Sequence, residues 1–521
     1  MKKFLNLFHR ESSIRGASLV LIITLTLSNV LGLFRDRFLT KTISTFNLDI
    51  YYASFRIPDL VFNTLILGAI TSAFIPIFSD HLAAKNQKEG YRITNSLINL
   101  ALIFTIVSAI ILFFLMPYIT PLVVPKFDAG RMAETVKFSR LLMLTPIFFS
   151  LSYIIGGVLN SHKRFLAYSL SPLIYNGAII IGAWFVAPRY GLIGVVYTVL
   201  IGSALHVLIQ LPTAIRLGYR YMPVIDYSKN IQKILSLMLP RTISLGASQI
   251  MLIVYTAVAS AMAAGSISAF NLANNIQTMP IIALGTSFAT AVFPTLAQKI
   301  SQNKEEEFSF YLSRALRVIG FLLIPSSVIF ILLRAQIIRL ILGSGKFSWD
   351  DTRMTALALG FFSISILAQG LIPLLARAFY ALKDTKTPMR ISIYTVIISV
   401  LIAFPLSKYM SVAGLALAFS IGSYFNAFML IYYLRKTYPA ILDKDLFFSY
   451  AKTTFISLLM GVVVWGSMHI AANQVNMSKF FGVLEQTVFA CVVGLVTFTV
   501  LSIVLKQDEL KWAFKRKIDG K

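Results

Sequence analysis

Apolar runs of roughly 20 residues recur along almost the whole chain and constrain its fold more than any other feature. A helix of that length crosses the ~30 Å hydrocarbon core of a bilayer. Hydrophobic residues make up 57% of the 521 and charged residues only 13%, with a mean hydropathy of +0.77. Soluble domains average about 25% charged residues, and strands of a membrane barrel would alternate with period two. The sequence therefore predicts an all-α polytopic membrane protein.

The apolar runs predict about 14 spans. A turn signal at Ala264, Gly265 and Ser266 divides the longest run in two. The predicted spans are 17–42, 50–79, 93–117, 138–159, 166–187, 191–215, 231–264, 267–298, 312–333, 353–381, 389–407, 411–434, 449–470 and 482–505.

The net charge of +26 is carried mainly by every second loop between the predicted spans, and by both ends of the chain. In a soluble protein this charge would suggest nucleic acid, but here the positive-inside rule explains it. We therefore expect no nucleic-acid partner and two cytoplasmic termini, with the basic leader 1–16 retained ahead of the first span. The only cysteine, Cys491, lies in an apolar run, so neither a disulfide nor a thiol metal site is expected.

Two glycine pairs indicate an internal repeat. Gly194 and Gly202 recur as Gly414 and Gly422, an offset of 220 residues at the same spacing. Six spans per copy would give the two copies the same topology, as in transporters whose substrate path lies between parallel repeats. The predicted division is an N-terminal lobe at 1–220, a C-terminal lobe at 221–440, and two added spans with a basic tail at 441–521.

The second predicted span carries polar residues at helical spacing. Tyr52, Arg56, Asp59 and Asn63 follow one another at intervals of 4, 3 and 4, so they share one helix face. Charge within a span usually faces a protein interior or a watery cavity. One interpretation is a buried Arg56–Asp59 pair with a structural role, and the other is a cavity wall that contacts an anionic or polar substrate. Pro58 is expected to kink this helix.

The first span ends in Arg35, Asp36 and Arg37, followed by apolar Phe38 and Leu39. The triplet either marks the helix end or places a cationic group toward a phosphate, which suits the planar fork of arginine.

An amide stripe runs along the eighth span, where Asn271, Asn274, Asn275 and Thr278 recur at i, i+3, i+4 and i+7. Such a stripe either joins helices by hydrogen bonds or lines a cavity. Arg377, near the inner end of the tenth span, is interpreted as a snorkelling interfacial residue that could also reach the cavity.

The sequence contains no recognisable catalytic or metal-binding motif. His206 and His469 stand alone on apolar segments, and no acidic residue lies deep in a span of the second half. A membrane enzyme would need a convergent acid–base set. The sequence favours a transporter without cofactors or metals over a catalyst.

Several stretches together resemble the MurJ (MviN) family of lipid II flippases, within the multidrug/oligosaccharidyl-lipid/polysaccharide exporter superfamily. The most specific is FYALKDTKTP at 379–388. Others are NVLGLFRDR at 29–37, SFRIPDLVFN at 54–63, GAITSAFIPIF at 68–78 and GKFSWDD at 345–351.

The resemblance implies alternating access by two six-helix lobes around a cationic cavity in the bacterial inner membrane. Its substrate would be an undecaprenyl-pyrophosphate-linked peptidoglycan precursor, whose tail stays among membrane lipids along a groove that the added spans help to form. Arg35, Asp36, Asp49 and Arg56 match family positions, and Asp49 with Asp36 and Asp59 would orient the arginines or gate the cavity. Arginines usual in the family fall on the uncharged residues Asn29, Phe62 and Asn275.

Three alternatives remain open at this point. The first is a flippase for another undecaprenyl-linked glycan, and the second is a cation-coupled drug exporter that uses Asp36 as its proton site. The third is a non-transporting scaffold that recruits cell-wall synthesis proteins.

Overall fold

The computed structural model describes residues 14–64, 74–226, 228–441 and 444–514. These residues form helices joined mostly by short turns, with no strand among them. The all-α prediction is confirmed. Most of the predicted leader, the basic tail from 515 and much of the motif at 68–78 lie outside the described residues.

The chain divides into two compact units between Ser268 and Ala269. The helices of the first unit are α1 (Ile14–Thr42), α2 (Thr45–Ser54), α3 (Arg56–Phe62), α4 (Ile75–Ala83), α5 (Gln87–Val123), α6 (Ala129–Leu142), α7 (Thr145–Ser161), α8 (Phe165–Ile181), α9 (Ala187–Leu208), α10 (Leu211–Arg216) and α11 (Lys229–Ser260).

Helix α12 (Ser266–Pro280) begins in the first unit and continues into the second. The further helices are α13 (Ser287–Ser301), α14 (Glu305–Leu332), α15 (Arg334–Leu342), α16 (Trp349–Ile364), α17 (Ile366–Ala381), α18 (Lys386–Met410), α19 (Val412–Thr437), α20 (Lys444–Ala472), α21 (Phe480–Val504) and α22 (Asp508–Phe514). One π-helical stretch, Gly182–Val186, lies between α8 and α9, and another, Ile281–Thr286, lies between α12 and α13.

Ten helices among the described residues are long and apolar enough to cross a membrane, or up to 11 if a pair bent by 46° counts as one span. The bent pair is α16 and α17, which together cover the predicted span 353–381. The continuous run Phe165–Arg216 covers two predicted spans, and a break within it at Gly191 (φ 63°) separates them. Helix α1 covers the first predicted span, 17–42, whereas the second, 50–79, includes residues outside the described ones.

Proline explains the interruption between α2 and α3. Pro58 has no amide hydrogen, so the carbonyl of Ser54 loses its usual helical donor, and α2 ends at that residue. The amide of Asp59 resumes the helical pattern by donating to Phe55 at 2.8 Å. The expected kink is therefore a break, and it separates Asp49 on α2 from Arg56 on α3.

Left-handed backbone positions recur at the offset of the predicted repeat. Lys163 (φ 57°) has its counterpart in Lys383 (φ 61°), and Gly191 (φ 63°) in Ser411 (φ 53°), each 220 residues later. Residues with positive φ are uncommon outside glycine. Their recurrence adds a backbone observation to the sequence signal for two copies, although the division at 220 and 440 stays a prediction.

Each unit packs around its own apolar core, and the helices also present exposed isoleucine, leucine, valine and phenylalanine side chains such as Phe114 and Val462. Because lipid tails are as apolar as these side chains, close packing and interhelical hydrogen bonds hold such helices together. In the second unit, α14, α20 and α21 share a separate apolar cluster that includes Phe321, Met460 and Phe498.

One polar ridge on α5 binds the segment that leads to α11. The ridge residues lie four apart, and all of them donate to backbone carbonyls of residues 217–224. They are Gln87, Tyr91, Asn95 and Asn99. The ridge thereby holds an extended segment that has no secondary structure of its own.

Candidate functional site

The predicted charges of the first unit form one cluster, which we call the charge cluster and define as Arg35, Asp36, Arg56 and Asp59. Asp36 and Arg56 are only 1% and 6% exposed. Tyr51 interacts electrostatically with Arg35, Asp36 and Asp59, so α1, α2 and α3 contribute to one charged region. Burying charge is costly unless it is paired, and the contacts within the cluster supply that pairing.

The Arg35 guanidinium is hydrogen-bonded to two residues, Asp36 and Asn176. Its Nε and Nη2 atoms donate to the same Asp36 oxygen at 3.0 and 2.8 Å, and its Nη1 donates to Asn176 on α8 at 3.2 Å. The Arg35 side chain keeps 22% of its surface exposed, whereas the side chain of Asp36 is 1% exposed. Asp36 and Asn176 therefore fix the planar fork, and part of the Arg35 side chain stays exposed. This geometry favours the cationic-group interpretation over a mere helix-end marker.

Arg56 is anchored by a residue that the sequence did not single out. Its Nε donates to the hydroxyl of Thr256 on α11 at 2.6 Å, and Thr256 is itself buried. Arg56 and Asp59 also attract each other electrostatically. Asp59 and Asn63 are half-buried, and the amide of Asn63 donates to the Asp59 carbonyl at 2.9 Å. Arg56, Asp59 and Asn63 thus lie on one helix face, as their spacing predicts. Arg56 is the most buried of the three.

Asp49 lies at the start of α12. Its carboxylate accepts from the amides of Gly265 and Ser268 at 2.7 and 2.8 Å, and from the Ser268 hydroxyl at 2.8 Å. The first amides of a helix lack intrahelical partners and carry partial positive charge, so a carboxylate there is stabilising. Asp49 therefore caps α12 from a different helix.

A second cation, Arg131 on α6, completes the Asp49 site. Its Nη2 lies 3.3 Å from an Asp49 oxygen, and its guanidinium carbon lies 3.6 and 4.4 Å from the ring centroids of Phe127 and Phe46. A cation in the first turn of a helix opposes the helix dipole. Arg131 follows the capping residue Asp128 by three positions, so it lies in the first turn of α6. This unfavourable position was the sequence signal that could have identified Arg131.

The residues of the amide stripe on α12 include Asn274, which belongs to a series of hydrogen bonds between two helices, and the half-buried Asn271 and Asn275. Asn274 accepts from Gln277 at 3.0 Å, and Gln277 accepts at 3.0 Å from Gln369 on α17. This chain joins two helices of the second unit, so Asn274 supports the hydrogen-bonding interpretation. Asn271 and Asn275 are half-buried on the same helix, and their role as cavity-lining residues stays a prediction.

Arg377 is half-buried near the end of α17. Its predicted snorkelling role, and its predicted contribution to substrate binding, stay predictions.

Aromatic side chains surround Phe62, one of the positions where the resemblance leads one to expect arginine. The Phe62 ring lies 5.2 and 5.3 Å from those of Phe149 and Tyr153. Phe149 in turn contacts Tyr175 and His206, each at 5.3 Å. Phe62 therefore contributes an aromatic ring, and no charge, to a half-buried aromatic cluster.

His206 is a packed histidine, as expected from its isolation. Its Nδ1 forms a 2.6 Å hydrogen bond with Ser152. Gln210 joins the same group by donating to Ser152 at 2.5 Å, and it also donates to Ser171 at 2.9 Å. Within the described residues no group of histidine, cysteine and acidic side chains could hold a metal ion.

Comparison with known proteins decides the family. The family model described as lipid II flippase MurJ matches residues 44–485, most of the chain. The chain belongs to the MurJ family. The matched region contains Asp49, Arg56, Asp59 and the amide stripe, whereas Arg35 and Asp36 lie just before it.

Relatives of this MurJ-family chain match along most of its length. The probable lipid II flippase MurJ of Buchnera aphidicola subsp. Acyrthosiphon pisum is 26% identical over 495 residues, covering 94% of this chain and 97% of the relative. The lipid II flippase MurJ of Burkholderia cenocepacia is 28% identical over 454 residues, covering 83% and 84%.

Solved structures agree with this assignment. A structure titled "Lipid II flippase MurJ, inward closed conformation" is similar with a TM-score of 0.78 and 26% identity, covering 94% of this chain and 100% of that one. An inward-facing multidrug resistance MATE family transporter of the MOP superfamily has a TM-score of 0.69 at 14% identity, covering 80% and 95%. The second likeness concerns the fold alone.

Proposed function

We propose that this chain is a lipid II flippase of the bacterial inner membrane, with both termini in the cytoplasm. It moves the undecaprenyl-pyrophosphate-linked precursor from the inner to the outer leaflet by alternating access, without covalent chemistry. The match of the MurJ family model to residues 44–485 carries this proposal. The buried charge cluster supports it, because a span tolerates such charges when they serve a polar path.

Arg35 is the group that would contact the pyrophosphate. Asp36 and Asn176 engage three of its donors and orient the guanidinium, and its side chain is 22% exposed. Charge-assisted hydrogen bonds from an arginine fork suit phosphate oxygens. Arg56 is more deeply buried and anchored to Thr256, so it would act mainly through its positive potential, with Asp59 and Asn63 beside it.

Asp49 would act as a gate residue. Four donors converge on its carboxylate, and breaking them would free both the start of α12 and the side chain of Arg131. Transport requires that the substrate bind the two access states with different affinity. Opening and closing of the Asp49 contacts would be one difference between those states.

The remaining groups of the substrate would use the second unit. Asn271 and Asn275 would contact sugar or peptide groups. Asn274, on the same helix, is hydrogen-bonded to Gln277. An apolar recess of about 390 Å³ between α14 and α20, lined by Leu332, Gly461 and Trp465 among others, would accommodate part of the lipid tail.

The test is complementation of a bacterium depleted of its lipid II flippase. The parent chain should restore growth, whereas Arg35→Ala and Arg56→Ala should not. Arg189→Ala, which removes an exposed arginine outside the cluster, is the matched control and should restore growth. All variants are first checked for equal amounts in the membrane.

Other outcomes would redirect the proposal. Rescue by both cluster variants would remove the cationic-site argument. Failure of the parent, accompanied by dye efflux, would favour a drug exporter. Failure of the parent with retained recruitment of cell-wall synthesis proteins would favour a scaffold.

A further inference from the structure

A recess on the lipid-facing surface of the first unit has a guanidinium at its edge. It measures about 260 Å³ and lies between α5 and the junction of α6 with α7. Its walls are apolar and include exposed side chains such as Ile110 (55% exposed) and Phe114 (68% exposed). The polar member of the lining is Arg140. We call this feature the Arg140 recess.

A proline explains why Arg140 is held in this place. Pro117 lies inside α5 and has no amide hydrogen, so the carbonyl of Phe113, four residues earlier, lacks its helical donor. The Nε of Arg140 supplies that donor at 2.8 Å. The guanidinium carbon also lies 4.5 Å from the centroid of the Phe113 ring. These contacts use one edge of the guanidinium and leave its two Nη groups for other acceptors.

No acidic side chain among the described residues pairs with Arg140. A cation facing lipid is costly unless an anion or water compensates it. By the predicted spans, Phe113 lies four residues before the end of 93–117 and Arg140 two residues after the start of 138–159. Both positions place the guanidinium close to the level of lipid headgroups.

We propose that the Arg140 recess binds an anionic glycerophospholipid, with its phosphodiester on the Arg140 guanidinium and part of an acyl chain in the recess. The occupant follows from charge complementarity, since one guanidinium matches the single negative charge of a phosphodiester. None of the residues that line the recess belongs to the charge cluster, to the Asp49 contacts or to the recess between α14 and α20. The proposal therefore uses no residue of the proposed substrate path.

The binding test uses the purified full-length chain in detergent, titrated with phosphatidylglycerol and followed by native mass spectrometry. Arg140→Gln should weaken binding of one phosphatidylglycerol molecule roughly tenfold, as expected for loss of a charge-assisted hydrogen bond. Arg189→Gln, at an exposed arginine that does not line the Arg140 recess, should bind as the parent does. Diacylglycerol, which has no phosphate, should bind the parent and Arg140→Gln equally weakly.

A second variant tests the recess in case Arg140→Gln does not fold. Ile110→Trp fills the recess while leaving the bond between Arg140 and the Phe113 carbonyl, and it should also lose the bound lipid. Parent-like phosphatidylglycerol binding by either folded variant, or an equal loss in Arg189→Gln, would overturn the proposal. Displacement of phosphatidylglycerol by an equal concentration of undecaprenyl pyrophosphate would also overturn it, since the recess would then belong to the substrate.

Discussion

Asp49 and Ser268 are joined by two hydrogen bonds that end on the same carboxylate oxygen. The Oδ1 atom of Asp49 accepts from the amide and from the hydroxyl of Ser268, each at 2.8 Å. The other oxygen accepts from the amide of Gly265 and from Arg131. The two residues are more than 200 positions apart, yet both belong to the first compact unit.

Asp49→Asn should abolish complementation of a flippase-depleted strain. The NH2 group of the carboxamide replaces one acceptor oxygen, so either the Gly265 amide and Arg131 together or the Ser268 amide loses its acceptor. An unsatisfied buried donor costs about 1–3 kcal/mol. Asp128→Asn is the matched control, because Asp128 caps α6 at an exposed position and asparagine caps equally well. Growth of the Asp49→Asn strain at the rate of the parent would contradict the gating role.

Arg35→Lys should reduce lipid II translocation roughly tenfold, although the charge is kept. Lysine cannot hold Asp36 with two nitrogens and Asn176 with a third, and each lost charge-assisted bond contributes about 1.5–3 kcal/mol. The measurement is translocation by the purified protein in vesicles. Asn176→Leu should have a smaller effect in the same direction, since the Arg35–Asp36 contacts survive. Equal rates for Arg35→Lys and the parent would mean that charge alone matters.

Thr256→Val should lower the free energy of unfolding by about 1–3 kcal/mol, because a buried charged donor on Arg56 loses its acceptor while side-chain shape is kept. Thermal unfolding in detergent measures the effect. Thr278→Val is the control, since its hydroxyl bonds only to the Asn274 carbonyl of its own helix. Thr256 makes a similar bond to Leu252, so the difference between the variants isolates the arginine contact. Equal losses of unfolding free energy in Thr256→Val and Thr278→Val would show that the contact with Arg56 does not stabilise the fold.

Asn99→Ala should loosen the segment that leads to α11. The Asn99 side chain donates to the carbonyls of Met222 and Val224 at 3.0 and 2.9 Å and accepts from the Tyr221 hydroxyl at 2.8 Å. Hydrogen exchange in residues 217–226 should accelerate by about an order of magnitude or more, as expected for the loss of three hydrogen bonds of about 0.5–1.5 kcal/mol each. Thr105→Ala, which removes only bonds within α5, should leave this segment unchanged. Protection equal to the parent in Asn99→Ala would rule out the ridge as a clamp.

The start of α6 should fray at low pH. The Asp128 carboxylate accepts from the backbone amide of Arg131, and this bond lowers the pKa of Asp128 below its ordinary value of 3.8. A lowered pKa in the folded state stabilises the helix start above the ordinary value, and this contribution is lost as the pH falls through the lowered one. The protection factors of residues 129–132, which correct for the intrinsic pH dependence of amide exchange, should therefore fall as the pH is lowered below about 3.8. In Asp128→Asn, which does not titrate, they should show no such fall.

Local pattern was sufficient for much of the architecture. Length and hydropathy predict spans because the bilayer sets one length scale for every helix. Helical spacing brought Arg56, Asp59 and Asn63 onto one face because a single helix determines that relation. The glycine offset between Gly194 and Gly414 likewise predicted a repeat, and the left-handed positions follow the same offset.

The partners of those residues were decided only by tertiary structure. Nothing in the local sequence of Asp49 indicates Ser268 or Arg131, and nothing near Arg56 indicates Thr256. Which donors converge on a buried charge depends on how distant helices pack, whereas periodicity reports only on neighbours within one helix. The sequence by itself thus determined which residues carry charge into the membrane. The packing of α6, α8, α11 and α12 decided how each charge is compensated, because a bilayer leaves no water to do so.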